Sequence, residues 1–481
     1  MTSTTCTAKQ PCQRGISRRR FLRYAGLAGL TLLSGVATGP LFESQSNQAD
    51  ADQPYQVYLP FIAKTPPIPP LSPELVQEAY QFYSLGDPVP PTSLRFEFKP
   101  NLNNPDQPPI IFARDAESNK VILATRFNPE TEEQEWHVAK LRDLADAVGL
   151  RVGTNLLTPY VAYMEGVPDN IVEILGDLVV DNFNHAIVDT IEWWQTEEER
   201  GVFTFDKAER AIGLARRHNM TIDGHSLIFP PSAFQYTYLT SFRQEAERRG
   251  LTPEQMRQEL INIVTEHVTN VVNHFRGQVD WWDVVVEANP TGDDDEFMNI
   301  IGPEYIDIAF ELAREIDPNT PLDLEDCGED LDYWKYGFLL ETVSRLQEKG
   351  LIDALKVECH LDGANPIPKE ELVEAFRSYG LPIIVSSVDI TLKNVSGARQ
   401  ERFERQAQIL VDLFEAAMDS GVCIGFYFWE GFGDKYNWLE RMDIPGYGGP
   451  NADATIFDDD LNPKPAYFAL KSKLQEMIDQ Q

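Results

Sequence analysis

The stretch WWDVVVE, residues Trp281–Glu287, decides the fold. It is a short run of apolar and β-branched residues that ends on a carboxylate, which is typical of a buried strand. Helical periodicity precedes it over Pro253–Phe275 and follows it over Glu304–Ile316. A buried strand between two long helical segments predicts an α/β fold in which helices connect parallel strands.

The same alternation continues in both directions, from about residue 130 to the C-terminus. The predicted strands are Leu150–Asn155, Ala186–Thr190, Thr221–His225, Trp281–Val286, Pro321–Leu324, Ala354–Cys359, Pro382–Val388 and Val422–Trp429. The other predicted helices include Phe205–His218, Tyr333–Lys349, Lys369–Tyr379 and Ala398–Ser420. Eight strands with intervening helices predict a closed (β/α)8 TIM barrel, with an open doubly wound sheet as the alternative. No Gly-x-Gly-x-x-Gly turn follows the first strand, so no nucleotide site is predicted there.

The N-terminus has the pattern of an export signal. Ser17–Leu22 (SRRRFL) contains consecutive arginines and precedes the apolar, Gly-rich run Tyr24–Val36, as in a twin-arginine signal. An uncleaved anchor helix is the alternative, although the run is short for a membrane span. We expect a twin-arginine-type signal peptide over 1–51, a Pro-rich linker over 52–74, a small β-rich segment over 75–130 and the barrel over 131–481.

The amino-acid composition limits the classes of partner that we expect for the mature protein. The chain has 41 Lys plus Arg and 76 Asp plus Glu, a net charge of −35. Such a surface repels phosphate backbones and anionic lipid headgroups, so we expect neither nucleic acid nor membrane as a partner beyond the twin-arginine export machinery. The mature protein is expected to be secreted or extracytoplasmic, free or associated with the cell surface, and not membrane-spanning. The negative charge does not exclude neutral sugars as ligands. An acidic surface also keeps exported proteins soluble, which by itself explains the charge.

Few cysteines follow the leader. Cys327, Cys359 and Cys423 allow at most one bridge and form no disulfide framework. A metal site built from Cys327, Cys359 and His360 matches no compact zinc spacing. The acidic run Asp293–Glu296 offers too few ligands for a calcium loop and is predicted to be a solvated loop. No metal or cofactor is therefore expected.

The predicted strand ends carry polar and aromatic side chains. In chain order these are Asp189, Glu192, Trp193, Trp194, His225, Glu287, Glu325, Asp326, Glu358, His360, Ser386, Ser387, Asp389, Trp429 and Glu430. In a (β/α)8 barrel the chemistry lies at the carboxyl ends of the strands. Tryptophan faces stack on sugar rings, and carboxylates supply acid, base and hydroxyl contacts. The set therefore predicts a cleft that takes a polysaccharide or oligosaccharide.

These segments resemble glycoside hydrolase family 10, the xylanase family. Trp282–Ala288 is similar to the family's W-D-V-V-N-E-A, in which the Glu is the general acid/base, and Asp223–Leu227 to R-G-H-T-L. Further likenesses are Phe183-Asn184 to F-N, Arg200–Phe203 to R-G-x-F, Glu358–Leu361 to Q-S-H-L, Val385–Ile390 to I-T-E-L-D-I, and Trp429 with Asp434–Trp438 to W-G-x-x-D-x-x-S-W. The resemblance covers roughly residues 145–475. It implies hydrolysis of a β-linked polysaccharide, xylan by default, with Glu287 as general acid/base.

The departures from the family pattern fall on the subsite of the reacting sugar. The family's nucleophile is the Glu of I-T-E-L-D, and this chain has Ser387 there. The other departures are Val286 for the Asn before the acid/base, Asp189, Thr190 and Trp193 for the E-N and K of strand two, Phe229-Pro230 for W-H, and Glu325–Gly328 for N-D-Y-N. A serine hydroxyl is not ionised near neutral pH and is a poor substitute for a carboxylate nucleophile.

Three hypotheses follow. In the first, Glu358 takes over as second carboxylate, and a separation of about 6.5–9.5 Å from Glu287 would leave room for water beside Ser387 and invert the product. In the second, the barrel binds glycan without cleaving it. In the third, the cleft serves another reaction on a different sugar.

The remaining residues are assigned supporting roles. We expect His225 and His360 to hydrogen-bond the floor of the cleft, with a packed core position as the alternative. The other residues expected to bind substrate or support the site are Asp189, Trp193, Glu325, Asp389, Trp429 and Trp438. A metal-dependent enzyme would instead need Glu325, Asp326, Glu358 and His360 to converge on one point.

Overall fold

Eight parallel strands close into a barrel, as the alternation of apolar runs and helices predicts. The computed structural model describes residues 68–85, 88, 90–128, 131–156, 169–230, 238–239, 241–292, 295–431, 433–442, 444 and 447–481. Leu71–Gln481 belong to one compact unit. The predicted signal peptide and most of the predicted linker lie outside the described residues.

The strands form two sheets. The first four make a small antiparallel sheet: β1 (Arg95–Lys99), β2 (Ile110–Arg114), β3 (Val121–Asn128) and β4 (Glu133–Val138). The barrel strands are β5 (Arg151–Asn155), β6 (His185–Val188), β7 (Thr221–Gly224), β8 (Trp281–Val286), β9 (Leu322–Cys327), β10 (Ala354–Asp362), β11 (Ile383–Thr391) and β12 (Cys423–Phe428). Each barrel strand pairs in parallel with the next, and β12 pairs with β5 to close the barrel.

Helices connect the barrel strands and cover their outer face, and the helix Pro73–Phe82 packs on the small sheet. The longer ones are Pro73–Phe82, Leu141–Val148, Asp169–Asn182, Asp206–Arg217, Phe242–Arg248, Pro253–Phe275, Glu304–Ile316, Tyr336–Glu348, Lys369–Ser378, Arg399–Ser420 and Pro465–Gln480. Short helical turns lie at Pro91–Ser93, Asp189–Ile191, Trp193–Thr196, Glu296–Ile300, Asp434–Tyr436 and Trp438–Arg441. Among the helices of the described segments, none is both long and apolar enough to cross a bilayer.

The small sheet packs on the barrel unit through its central strands. Phe112 and Val121 are fully buried and belong to the same apolar core as the barrel. The C-terminal helix fastens the sheet, since Lys471 donates to the carbonyl of Val121 at 3.0 Å. The fourth strand carries the β-rich segment to Val138, beyond the expected boundary at 130.

Strands β10 and β11 run further than the sequence predicts, to Asp362 and Thr391. Their register shifts between Glu358 and His360, which places an irregularity beside the expected site. Such bulges re-aim side chains next to functional sites. The predicted strand ends at Cys359 and Val388 are therefore wrong, because the bulge interrupts the apolar pattern without ending the pairing.

Candidate active site

A buried ionic cluster lies inside the barrel, centred on Lys356. Its ammonium group pairs with Asp223, and lies 3.0 Å from Oδ2 of Asp283, 3.6 Å from Oδ1 of Asp323 and 3.9 Å from Oε2 of Glu325. These side chains come from β7, β8, β9 and β10, and all five are buried. Alternate residues of a strand share one face, so charged residues at every second position meet in the interior. We call these five residues the Lys356 cluster.

The Lys356 cluster holds two of its carboxyl groups ionised. Burial disfavours ionisation of Asp223 and Glu325, but the attraction of the Lys356 ammonium outweighs it and sets both pKa values well below their usual range. Burial raises the pKa of Asp283 to about 6, against the attraction of Lys356. Burial also raises the pKa of Asp323 well above its usual value. The Lys356 cluster is therefore a network of buried ion pairs in which two carboxyl groups have lowered pKa values and two have raised ones.

His225 connects this cluster to the cleft. Its Nδ1 lies 2.5 Å from Oδ2 of Asp283 and 3.5 Å from Oε2 of Glu325, and its Nε2 lies 3.6 Å from Oε1 of Glu192. Burial lowers the pKa of His225, but the Asp283 carboxylate outweighs this and places the pKa well above its usual value. The ring also packs 5.2 Å from the ring of Trp429. His225 thus links the Lys356 cluster to Glu192 and Trp429, and its place on the floor of the cleft stays a prediction.

Among the described residues, the donors close enough to share a metal ion are His225, Asp283 and Glu325. This is a different set from the one a metal-dependent barrel would need, which included Asp326 and Glu358. The ammonium of Lys356 lies beside the carboxylate oxygens of Asp283 and Glu325, so the chain itself supplies a positive charge at that point.

Glu325 accepts hydrogen bonds from two consecutive serines of β11. Ser386 Oγ donates to Oε1 of Glu325 at 2.7 Å, and Ser387 Oγ donates to the same oxygen at 3.2 Å. Ser387 therefore lies against a buried carboxylate, at the position where the resemblance places a nucleophile.

A second polar network joins β10, β11 and the segment after β12. His360 Nδ1 lies 2.9 Å from Oδ2 of Asp389, and Trp438 Nε1 donates to the same oxygen at 2.8 Å. On the other side of the imidazole, Nε2 of His360 lies 3.8 Å from Oε2 of Glu358. The thiol of Cys327 donates to that Glu358 oxygen at 3.3 Å. Four of the predicted site residues are thus brought together here.

Glu287 follows β8 directly and is half-buried. Its backbone N–H donates to the carbonyl of Glu325 at 2.9 Å, so the two residues are neighbours across β8 and β9. Lys335 lies beside them: its ammonium is 2.5 Å from Oδ1 of Asp326 and donates to the carbonyl of Ala288 at 3.3 Å. Burial raises the pKa of Asp326 to about 6, against the attraction of Lys335, and the nearby Glu287 adds to the rise.

Three non-glycine residues at the carboxyl end of the barrel have left-handed backbone: Glu287 (φ +48°), Ser387 (φ +51°) and Glu430 (φ +48°). Such residues cost about 1–3 kcal/mol each and are concentrated at functional sites. Glu430 is fully buried and pairs with Arg441 at 2.9 Å, while its N–H donates to Asn155 Oδ1 at 3.0 Å. The strain therefore lies at the rim that carries the predicted site.

Three further predicted site residues, Asp189, Trp429 and Trp193, differ in their surroundings. Asp189 accepts from Nδ2 of Asn155 at 3.1 Å, and burial raises its pKa well above its usual value, with Glu192 adding to the rise. Trp429 is only partly buried, and its ring lies 5.2 Å from the ring of His225. Trp193 is 1% exposed and stacks on His267 with ring centroids 3.7 Å apart. Its ring faces His267 and Phe297, so protein covers the surface that a sugar would need.

Several residues of these networks were missed from the sequence, notably Lys356, Asp283, Lys335 and Arg441. The sequence contains a signal for the first two. Lys356 and Asp283 are charged residues within otherwise apolar strands, and Lys356 lies two residues before Glu358. Alternation along a strand places such residues on one face. Lys335 and Arg441 lie in loop and short-helix segments, where no periodicity predicts direction.

Comparison with known proteins gives one family. The model of "Glycosyl hydrolase family 10" matches residues 141–473. Endo-1,4-beta-xylanase B of Thermotoga neapolitana is 32% identical over 295 residues, which are 60% of this chain and 79% of that protein.

Solved structures agree with this relationship. Native xylanase 10B from Thermotoga maritima is similar with a TM-score of 0.60 and 27% identity, over 71% of this chain and 100% of that chain. Xylanase 10B from Thermotoga petrophila RKU-1, solved in complex with xylobiose, is similar with a TM-score of 0.59 and 28% identity, over 71% of this chain and 98% of that chain.

Proposed function

Because the chain belongs to glycosyl hydrolase family 10, a family of glycoside hydrolases, we propose that it hydrolyses the β-1,4 bonds of xylan. The similarity to proteins named endo-1,4-beta-xylanase supports this substrate class. The observation that carries the proposal is that three adjacent strands bring carboxyl groups close together: Glu287 after β8, Glu325 and Asp326 near the end of β9, and Glu358 on β10 beside the end of β9. Paired carboxyl groups across a cleft are what hydrolysis of a glycosidic bond requires.

Glu287 is the proposed general acid. It is only half-buried, its backbone is held in a left-handed conformation, and it follows a barrel strand directly. In the reaction its carboxyl proton passes to the glycosidic oxygen as the bond between that oxygen and C1 breaks. General acid catalysis of this kind contributes about 10²–10⁴-fold to the rate.

Glu358 is the proposed second carboxylate, which acts as the base. It is buried beside His360, whose orientation is fixed by Asp389 and, through Asp389, by Trp438. We propose that Glu358 takes a proton from a water molecule whose oxygen forms the new bond to C1. The short side chain of Ser387 leaves space for this water, and attack opposite the leaving group inverts the configuration at C1.

The sugar chain is proposed to lie along the rim, with Trp429 as the stacking surface and His225 and Asp189 on the floor. The partly buried ring of Trp429 supports this role, since aromatic faces pack against pyranose rings. The test of the proposed function is the release of reducing sugar from a polysaccharide panel that includes xylan. Wild-type protein, Glu287→Gln and Glu358→Gln are compared; cleavage by the wild type alone supports the assignment, and glycan binding without cleavage by any of them refutes it.

We also propose that the protein is exported by the twin-arginine route and acts outside the cytoplasm, free or at the cell surface. The consecutive arginines of Ser17–Leu22 before an apolar run support this. Replacing Arg18 and Arg19 with lysine is expected to retain the protein in the cytoplasm. Export of the double variant at the wild-type level would contradict the proposed route.

A further inference from the structure

The buried carboxylate of Glu325 lies next to Ser387, the serine that stands where the resemblance places the family's nucleophile. Its Oε1 accepts hydrogen bonds from Ser386 at 2.7 Å and from Ser387 at 3.2 Å. In barrel order β9 and β11 are separated by β10, so these contacts cross the interior beside β10. The hydroxyl of Ser387 and the carboxylate of Glu325 thus form one contiguous polar surface.

The other oxygen of Glu325 faces positive charge. Its Oε2 lies 3.5 Å from Nδ1 of His225 and 3.9 Å from Nζ of Lys356. Burial opposes ionisation of Glu325, but Lys356 and His225 outweigh it, and the pKa lies well below its usual range. The cations beside Oε2 therefore favour the ionised form of the carboxyl group, and its contacts at both oxygens fix its orientation.

Glu325 is also adjacent to the proposed acid. The N–H of Glu287 donates to the carbonyl of Glu325 at 2.9 Å, so their backbones are paired across two neighbouring strands. A sugar ring that contacts both Glu287 and the hydroxyl of Ser387 therefore lies next to the Glu325 carboxylate. Positive charge develops on a pyranose ring when its glycosidic bond breaks, so a fixed anion beside such a ring would attract it.

We propose that Glu325 supplies the negative charge that stabilises the positively charged transition state of the reacting xylose ring. The inference rests on the proposed hydrolysis of xylan and assigns Glu325 an electrostatic role, with no bond to the sugar. Ser386, His225 and Lys356 are positioning residues that keep the carboxylate fixed. A preorganised charge in a site that excludes water acts strongly, because nothing has to reorient during the reaction.

The test uses binding of charged and neutral sugars. Calorimetry compares xylobiose with a xylobiose-type iminosugar whose protonated ring nitrogen stands at the anomeric position. The variant is Glu325→Gln, which keeps the shape and removes the charge. The matched control is Glu254→Gln, the same change at an exposed position of the helix Pro253–Phe275, outside the Lys356 cluster.

Glu325→Gln is expected to weaken iminosugar binding by about 100-fold and to change xylobiose binding by less than about threefold. Glu254→Gln is expected to change neither. Equal weakening of both ligands, or no weakening of the iminosugar, would overturn the electrostatic role.

A second variant covers the case in which Glu325→Gln does not fold. Ser387→Glu adds a carboxyl group beside Glu325, and two adjacent carboxyl groups do not both ionise at neutral pH. We expect iminosugar affinity to rise by less than about threefold, since the site already holds an anion. A gain of about tenfold or more would mean that the site lacked a negative charge, and would overturn the inference. Failure of the wild type to bind xylobiose or to cleave xylan would instead refute the proposed function.

Discussion

The hydroxyl of Ser387 donates a hydrogen bond to Oε1 of Glu325 across 3.2 Å. The two residues come from β11 and β9, and the serine backbone is left-handed at φ +51°. The side chain at position 387 is short, and the carboxylate of Glu325 reaches the same region from another strand. The carboxyl group of Glu325 therefore lies beside the serine that stands where the resemblance places the family's nucleophile.

Loss of the proposed acid is expected to affect the chemical step. Glu287→Gln removes the proton donor while keeping the shape, so kcat on xylan should fall by about 10²–10⁴-fold with little change in KM. Steady-state assays of reducing sugar measure both constants. The control is Glu254→Gln, at an exposed position of the helix Pro253–Phe275. Unchanged kcat in Glu287→Gln would contradict the role of Glu287.

Glu358 as base predicts the stereochemistry of the product. Proton nuclear magnetic resonance of the first products of xylan cleavage should show the α-anomer before mutarotation, because water attacks from the face opposite the leaving group. Glu358→Gln should reduce kcat by about 10²-fold or more. Initial release of the β-anomer would show retention, and would require a different role for Glu358.

Lys356 is expected to be essential for stability because its buried ammonium pairs with the carboxylates of the Lys356 cluster. Lys356→Met leaves the buried carboxylates Asp223 and Glu325 without their ammonium partner, and should lower the free energy of unfolding by about 3–5 kcal/mol in urea titrations. Lys369 serves as control because it pairs at the surface with Glu415 and Asp419. Lys369→Met should cost no more than about 1 kcal/mol. Equal effects of the two substitutions would contradict a special role for the cluster.

Asp326 predicts a pH dependence of stability. Burial raises its pKa to about 6, so the folded protein binds this proton more tightly than the unfolded chain does. Its contribution to stability is therefore present below the unfolded pKa and is lost as the pH rises through about 6. Asp326→Asn should flatten the fall of the unfolding free energy between pH 4 and pH 7 by up to about 3 kcal/mol. Asp332→Asn, at an exposed position of the following loop, should leave the wild-type slope unchanged.

The barrel was predictable because its strands are short, apolar and separated by helices. Strand β8 has the predicted bounds, Trp281–Val286, since a carboxylate follows its apolar run at once. The ends of β10 and β11 were predicted too early, because the register shift between Glu358 and His360 breaks the alternation while the pairing continues. Pairing across a bulge depends on the neighbouring strand and is not encoded in one segment.

Residue types at the strand ends were predictable, but their directions were not. The sequence places Trp193 among the site residues, yet its ring stacks on His267 of a distant helix. The sequence also gives Lys356 and Glu358 the same face of one strand, but the partners of Lys356 come from three other strands. Such contacts arise only when the barrel closes and brings those strands together.

The most direct measurement is the release of reducing ends from xylan by the purified wild-type protein, with Glu287→Gln as the reference. We expect reducing ends to increase in proportion to wild-type enzyme and to remain at background with the variant, because the variant lacks the proposed general acid. Binding of xylan by the wild-type protein with no release above the variant would contradict hydrolysis, and would assign the rebuilt cleft to carbohydrate binding.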